Sequence, residues 1–200
     1  MPSQRLSVEF KAHPFLLYES LRRINPSPYM YYIKFRDFYI VGSSPETLVK
    51  VEKNKVIIKP IAGTRLKEKG KEEEIKEDLL SDPKELAEHL MLLDLGRNDV
   101  GKVSKVNTVK VTEKFKVEKY SHVMHIVSNV VGKYNKKFSK FKSLLAGFPA
   151  GTVSGAPKIR AMEIIDKLEN SQRKVYAGGI GYFSASGDFD TCIALRTALV

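Results

Sequence analysis

The sequence predicts an α+β fold, with helices and mostly antiparallel strands in mixed order. Three observations predict it. Residues 29–64 form one run of aromatic and β-branched residues broken only by short turn signals, the pattern of neighbouring strands joined by hairpins. Segments of helical period recur irregularly, at 14–24, 72–95, 138–148 and 157–169, and do not follow every strand. No repeat of about 20–50 residues is present, and the element order is not that of a regular βαβ winding.

Pro14 opens the first helix, and Phe15, Leu16, Tyr18 and Leu21 recur at helical intervals until NPSP at 25–28 ends it. The run YMYYIKFRDFYIVGSSPETLVKVEKNKVIIKPIAGT is divided by RD, GSSP and KN into three or four antiparallel strands. From residue 72 the period becomes helical. Ser81 and Asp82 reset it, with Asp82 capping a second helix, Pro83 in its first turn and GRND at 96–99 closing it. Strand period returns from Val103 to Tyr134, in TVKVTEKFKVEKY and HVMHIVSNVVGKY, before a helix in FSKFKSLLAGF. The loop FPAGTVSGAPKIRAM leads into a helix over about 157–169, with Pro157 in its first turn. Two late strands follow, AGGIGYFSA and DTCIALRTALV, the second holding Cys192 as a small buried residue.

The chain has 200 residues and 42% apolar content, enough for a sizeable core in one domain or a pair of small ones. No apolar run reaches the roughly 18 residues of a membrane span, and MPSQRLSVEF has no signal-peptide core, so a cytoplasmic protein is expected. One cysteine excludes an internal disulfide. The net charge of +11 suits either nucleic acid or an acidic small molecule. Lysines are dispersed and alternate with acids in KEKGKEEEIKED, which argues against a nucleic-acid stripe. The chain enters a core-like stretch at once and stops inside an apolar strand, so a fragment is expected.

FPAGTVSGAPKIRAM brings small residues, Thr152, Ser154 and two cations to a helix start. It is either a cradle for a carboxylate or phosphate, or an ordinary loop with a proline start signal. Glu85 and Glu88 share a helix face, suited to a hard divalent cation or to solvent. His122 and His125 lie in one strand at odd spacing and therefore face opposite sides. Arg196, within an apolar strand, requires an anion if buried, either a ligand carboxylate or a structural acid. No nucleophile elbow or phosphate loop is present.

NPSPYMYY, GSSPE, PIAGTR, ELAEHLMLLDLGRNDVG, SHVMHIVSNVVG, FPAGTVSGAPKIRAMEII, YAGGIGY and DTCIALRT, in this order, resemble the chorismate-utilising enzymes, most closely the large subunit of the anthranilate synthases. The resemblance covers nearly the whole chain, making residues 1–200 a partial chorismate-binding catalytic domain. It implies large antiparallel sheets flanked by helices, and a reaction in which ammonia adds to chorismate, the ring hydroxyl leaves and pyruvate is eliminated to give anthranilate. It also implies Mg²⁺, a glutamine amidotransferase subunit delivering the ammonia, and tryptophan as feedback inhibitor; nucleic acid and membrane are not implied partners. By the same resemblance, Glu85 and Glu88 are metal-side acids, Glu46 a general acid, His125 the proton-handling residue and Thr152 a catalytic residue at a substrate-contacting position. Thr64, Tyr176, Arg196, Gly178 and Gly179 match substrate-contacting positions, and Pro28, Tyr29 and Met30 match part of a tryptophan site. Ala62 stands where the aminodeoxychorismate enzymes carry Lys, which favours anthranilate; aminodeoxychorismate or isochorismate synthesis, and a non-catalytic fragment, are the alternatives. The family's chains are about twice as long and carry further metal ligands after the matched segments.

Overall fold

The computed structural model describes residues 1–200 as two antiparallel sheets with helices around them, matching the expected class. The first helix, α1 (Pro14–Ile24), follows His13, whose imidazole accepts from the Phe15 amide. Next come β1 (Tyr29–Lys34), β2 (Tyr39–Ser44), β3 (Thr47–Glu52), β4 (Lys55–Ile58) and β5 (Ile61–Leu66). Two helices, α2 (Glu72–Ser81) and α3 (Pro83–Gly101), precede the hairpin of β6 (Lys110–Lys119) and β7 (Val123–Lys133). Then α4 (Lys140–Gly147), a short 3₁₀ turn (Gly151–Val153), α5 (Lys158–Leu168), β8 (Gly179–Phe183), β9 (Phe189–Ile193) and β10 (Thr197–Leu199) complete the chain. No helix is long and apolar enough to cross a membrane.

One sheet runs β1-β2-β10; the other runs β5-β7-β4-β3-β9-β8, with β6 on the remaining edge of β7. A single edge of β7 takes both β4, over Lys55–Ile58, and β5, over Ile61–Leu66. The break between them is Pro60, which has no N–H for the ladder; its carbonyl still accepts from the Ser128 amide at 3.2 Å. That kink sets the direction in which β5 carries Gly63 and Thr64.

The main core lies between the larger sheet and α3, with Val49, Val51, Val56, Leu93, Val100 and Phe189 among its buried members. Cys192 is buried in β9 as expected. Asp82 caps α3 as read from sequence, accepting from the Lys84 and Glu85 amides at 3.0 and 3.3 Å, with Pro83 behind it.

Four expectations are corrected. GRND does not close α3, which continues to Gly101: Arg97 pairs with Asp94, and buried Asp99 pairs with Lys102 and Lys158, so the polar residues find partners without a turn. Pro157 caps α5 from outside, its ψ of 135° being extended. His122 lies in the turn before β7, bonded to Ser121. DTCIALRTALV is two strands, because the chain turns at Arg196, φ 49°, and passes from the larger sheet to the smaller.

Candidate functional site

Two strand connections step between the sheets at the same place. Ser44 and Thr47 end β2 and begin β3 in different sheets, with Pro45 and Glu46 between them; Ile193 and Thr197 do the same for β9 and β10, with Arg196 between. The crossings are bonded to each other: the Ile193 amide donates to the Glu46 carbonyl at 3.1 Å, and the Ser43 amide to the Arg196 carbonyl at 3.2 Å. Glu46 and Arg196 are therefore fixed where neither sheet covers the backbone completely.

Glu46 is buried, and burial pushes its carboxyl up to about 8, against the opposing pull of the Thr152 hydroxyl and the Ile61 amide. At neutral pH it is a carboxylic acid with a proton to give. Thr152 Oγ1 is buried and completes no hydrogen bond of good geometry. A cavity of about 30 Å³ lies beside these two groups, closed by Leu92, Leu95, Gly96 and Asp99.

His125 sits in β7 opposite Thr64 of β5. Its Nδ1 lies 2.9 Å from the Gly63 carbonyl and 3.1 Å from Thr64 Oγ1. A carbonyl only accepts, so Nδ1 carries the hydrogen and Nε2 keeps its lone pair. Burial, with Arg196 adding to it, holds the imidazole below its ordinary value against the opposing Gly63 bond. His125 is thus a neutral ring with one free basic nitrogen. The Tyr120 ring stands edge-on to it at 5.1 Å and 71°. Burial and nearby Glu118 raise the Tyr120 hydroxyl, Glu46 adds to the rise, and Arg196 opposes it. His125, Thr64, Tyr120, Glu118, Glu46 and Arg196 therefore share one electrostatic neighbourhood on one face of the β5–β7–β6 ladder. Tyr120 and Glu118 carry no motif that sequence reasoning could use, although Glu118 is the direct cross-strand partner of His125.

Arg196 is exposed and makes no ion pair, so its guanidinium is available to an anion from outside the chain. The structure does not bury it in an apolar strand with a structural acid.

Glu85 lies across the ladder from His125, and Glu88 follows it three residues on along α3. Thr64 faces His125 while Arg65, next along β5, faces α2 and α3, binding Asp78 at 2.6 Å, Asp82 at 2.7 Å and Glu85 at 3.3 Å. The faces approach each other at Gly63. Its carbonyl holds His125, and a Cβ added there would stand 3.0 Å from Leu79 and 3.2 Å from Glu85 Oε2. Two carboxylates of hard oxygen suit Mg²⁺, which is satisfied by one or two plus water and substrate oxygens. No group of three or more His, Cys, Asp or Glu in this chain is arranged to hold a metal ion, the cluster of Asp78, Asp82 and Glu85 being occupied by Arg65, so Glu85 and Glu88 offer two ligands of a larger shell.

Tyr176 and Gly178 line a different space, a cavity of about 540 Å³ between Phe148–Pro149, α5 and the turn before β8. Gly178 and Gly179 answer to the chain's own atoms: an added Cβ would lie 2.9 Å from the Val175 carbonyl and 3.0 Å from Leu48. Ser154 of the expected anion cradle is buried and donates to the Ala150 carbonyl, so its hydroxyl is committed. Tyr29 and Met30 alternate in β1 and face opposite ways. The Tyr29 hydroxyl bonds Thr47 and Asp190, at 2.7 and 2.9 Å, while Pro28 is exposed.

The chain is similar to anthranilate synthase component 1 of Cereibacter sphaeroides, 60% identical over all of this chain and 40% of that protein. The Pseudomonas aeruginosa protein of the same name is 58% identical, again over all of this chain and 41% of its own length. This chain thus spans about two fifths of the curated relatives it matches. Among solved structures, anthranilate synthase component I of Streptococcus pneumoniae superposes with a TM-score of 0.89 at 48% identity, covering 96% of this chain and 42% of that one. The menaquinone-specific isochorismate synthase MenF of Escherichia coli shares the fold, with a TM-score of 0.82 at 24% identity over 92% of this chain and 42% of its own. The family model described as chorismate binding enzyme matches residues 1–200, and the chain belongs to that family.

Proposed function

We propose that this chain is the catalytic core of an anthranilate synthase large subunit, aminating chorismate with ammonia and eliminating pyruvate. The observation that carries the proposal is a protonated carboxyl on Glu46 and an unpaired guanidinium on Arg196 at the two sheet crossings, with the free basic nitrogen of His125 on the neighbouring ladder, where the Arg196 charge is felt. Arg196 presents a planar fork to the enolpyruvyl carboxylate, which it can hold bidentately. Glu46 gives its proton to the departing ring hydroxyl, which leaves as water. His125 takes up a proton through Nε2 in the elimination step, with Nδ1 anchored on Gly63. Thr64 orients that imidazole, and Thr152 supports the charged form of Glu46 once its proton has gone. Glu85 and Glu88 would hold Mg²⁺, which when bound supplies positive charge to the ring carboxylate.

Ala62, buried in β5 opposite Ile126, favours anthranilate over aminodeoxychorismate as product. A glutamine amidotransferase subunit as the ammonia source, and tryptophan as an inhibitor read partly through Pro28, Tyr29 and Met30, belong to the same proposal. The test supplies chorismate, Mg²⁺ and ammonium and follows anthranilate fluorescence. Anthranilate from the native chain, with the amino intermediate accumulating in His125→Met, is the expected result. Isochorismate or aminodeoxychorismate as product would overturn the nucleophile and product assignment. Chorismate binding without turnover at high protein concentration would make the chain a non-catalytic fragment.

A further inference from the structure

The His125 imidazole is held by its Nδ1 alone among its polar atoms, through Gly63 and Thr64. A hydrogen bond to one ring nitrogen leaves the opposite edge to be fixed by packing. The aromatic ring that packs on it is Tyr120, edge-on at 5.1 Å and 71°, an arrangement in which the positive edge of one ring meets the negative face of the other. Tyr120 is held in turn. Its amide donates to the Val123 carbonyl at 2.8 Å, closing the β6–β7 hairpin, and its hydroxyl reaches Glu118 at 3.4 Å. Glu118 is the cross-strand partner of His125, so the acid, the phenol and the imidazole occupy one face of one hairpin.

We propose that Tyr120 is a positioning residue for His125: its ring, supported by the tight hairpin and by Glu118, locks the imidazole in the orientation that leaves Nε2 free and facing the site. The inference deepens the proposed function, since it assigns a purpose to the orientation of a residue given a chemical role there. The ring supplies the lock, and the phenolic hydroxyl is secondary, because its bond to Glu118 is long. The charged groups around the imidazole are Glu118, its cross-strand partner on β6, and Arg196 at the crossing, while Glu46 acts on the Tyr120 hydroxyl; none forms an ion pair with His125.

The test reads the imidazole directly, without catalysis. Long-range ¹H–¹⁵N correlation of His125 should show a single neutral tautomer with the hydrogen on Nδ1, together with contacts between the Tyr120 ring protons and the His125 ring protons in the native chain. Absence of those contacts in the native chain overturns the proposal before any variant is made. Tyr120→Phe should keep the single tautomer, and Tyr120→Leu should lose it, giving a mixture with hydrogen on either nitrogen. A single tautomer in Tyr120→Leu, or a mixture in Tyr120→Phe, overturns the role of the ring. Should Tyr120→Leu not fold, Tyr120→Met is read in the same way. With chorismate turnover as a second readout, Tyr120→Leu should lower kcat by about tenfold with KM nearly unchanged, as loss of an aligned base requires. An unchanged kcat alongside a lost tautomer overturns the positioning role. A native chain with no turnover overturns the proposed function instead, and the magnetic resonance result still decides the lock.

Discussion

Replacing Glu46 with Gln isolates the energetic cost of the buried acid. The Glu46 carboxyl ordinarily titrates near 4.5 and is pushed up to about 8 by burial. The folded chain therefore keeps a proton that the unfolded chain releases, and stability falls as pH rises through the window from 4.5 to about 8. That difference is about 3.5 pH units, each worth about 1.36 kcal/mol, so the native chain loses at most ~5 kcal/mol across the window relative to Glu46→Gln. Water entering the small cavity beside Thr152 would screen part of this, so ~5 kcal/mol is an upper bound. Gln keeps the shape and can still accept from the Ile61 amide, and it does not titrate. Urea unfolding of both proteins from pH 5 to 9 measures the difference; the chain has nine tyrosines and no tryptophan, so tyrosine fluorescence and circular dichroism serve as probes. The variant should gain on the native chain steadily as pH rises. Parallel curves over the window, or a native chain that gains with pH, would refute the buried-acid argument and with it the assignment of Glu46 as proton donor.

Three further perturbations test the framework around the site. Gly63→Ala places a Cβ at φ 69°, 3.0 Å from Leu79 and 3.2 Å from Glu85, and should cost about 2 kcal/mol in chemical denaturation; no measurable cost would show that the ladder is loose there. Asp99→Asn breaks the buried pair with Lys158 that joins α3 to α5 and should cost about 3 kcal/mol, much of it recovered by adding Lys158→Met. His89 is buried between Ser128 and Phe115, and burial pulls its imidazole down to about 4. The unfolded chain therefore binds a proton before the folded one does, so native stability falls as pH drops from 6.5 to about 4; His89→Gln should abolish that slope, and an unchanged slope would place it elsewhere.

The helices and strands were readable because their signals are local. Asp82 and Pro83 set the start of α3 by capping chemistry that needs no tertiary partner, and the aromatic run after residue 29 separated into strands at its turn signals. The failures occur where packing decides. GRND carries turn-forming residues, yet Asp99 meets Lys158 from a helix about sixty positions away, and α3 runs through. The break at Arg196 is equally invisible, because CIALRTALV reads as one apolar strand and only the second sheet explains the left-handed residue within it. At the site, His125 and Glu46 were legible as parts of motifs. Tyr120 was not, because its importance lies in a ring contact across a hairpin turn.

The two crossings explain why a site belongs here. A strand that leaves one sheet for another interrupts both ladders, and buried backbone groups at the interruption must find partners. Glu46 and Arg196 meet this requirement through their own main chains, the Glu46 carbonyl taking Ile193 and the Arg196 carbonyl taking Ser43, so their side chains are not needed to stabilise the crossings. The side chains are then free to differ in environment. The chain folds Glu46 inward against Thr152, where it keeps its proton, while the left-handed turn at Arg196 directs its guanidinium to solvent, where it keeps its charge. A neutral acid and an unpaired cation, a few residues from the same pair of hydrogen bonds, form an arrangement that costs stability at alkaline pH and gains the folded chain no internal ion pair. Under the proposed function the pair has a use, because an anionic substrate with a leaving hydroxyl needs a cation to hold it and an acid to supply the proton.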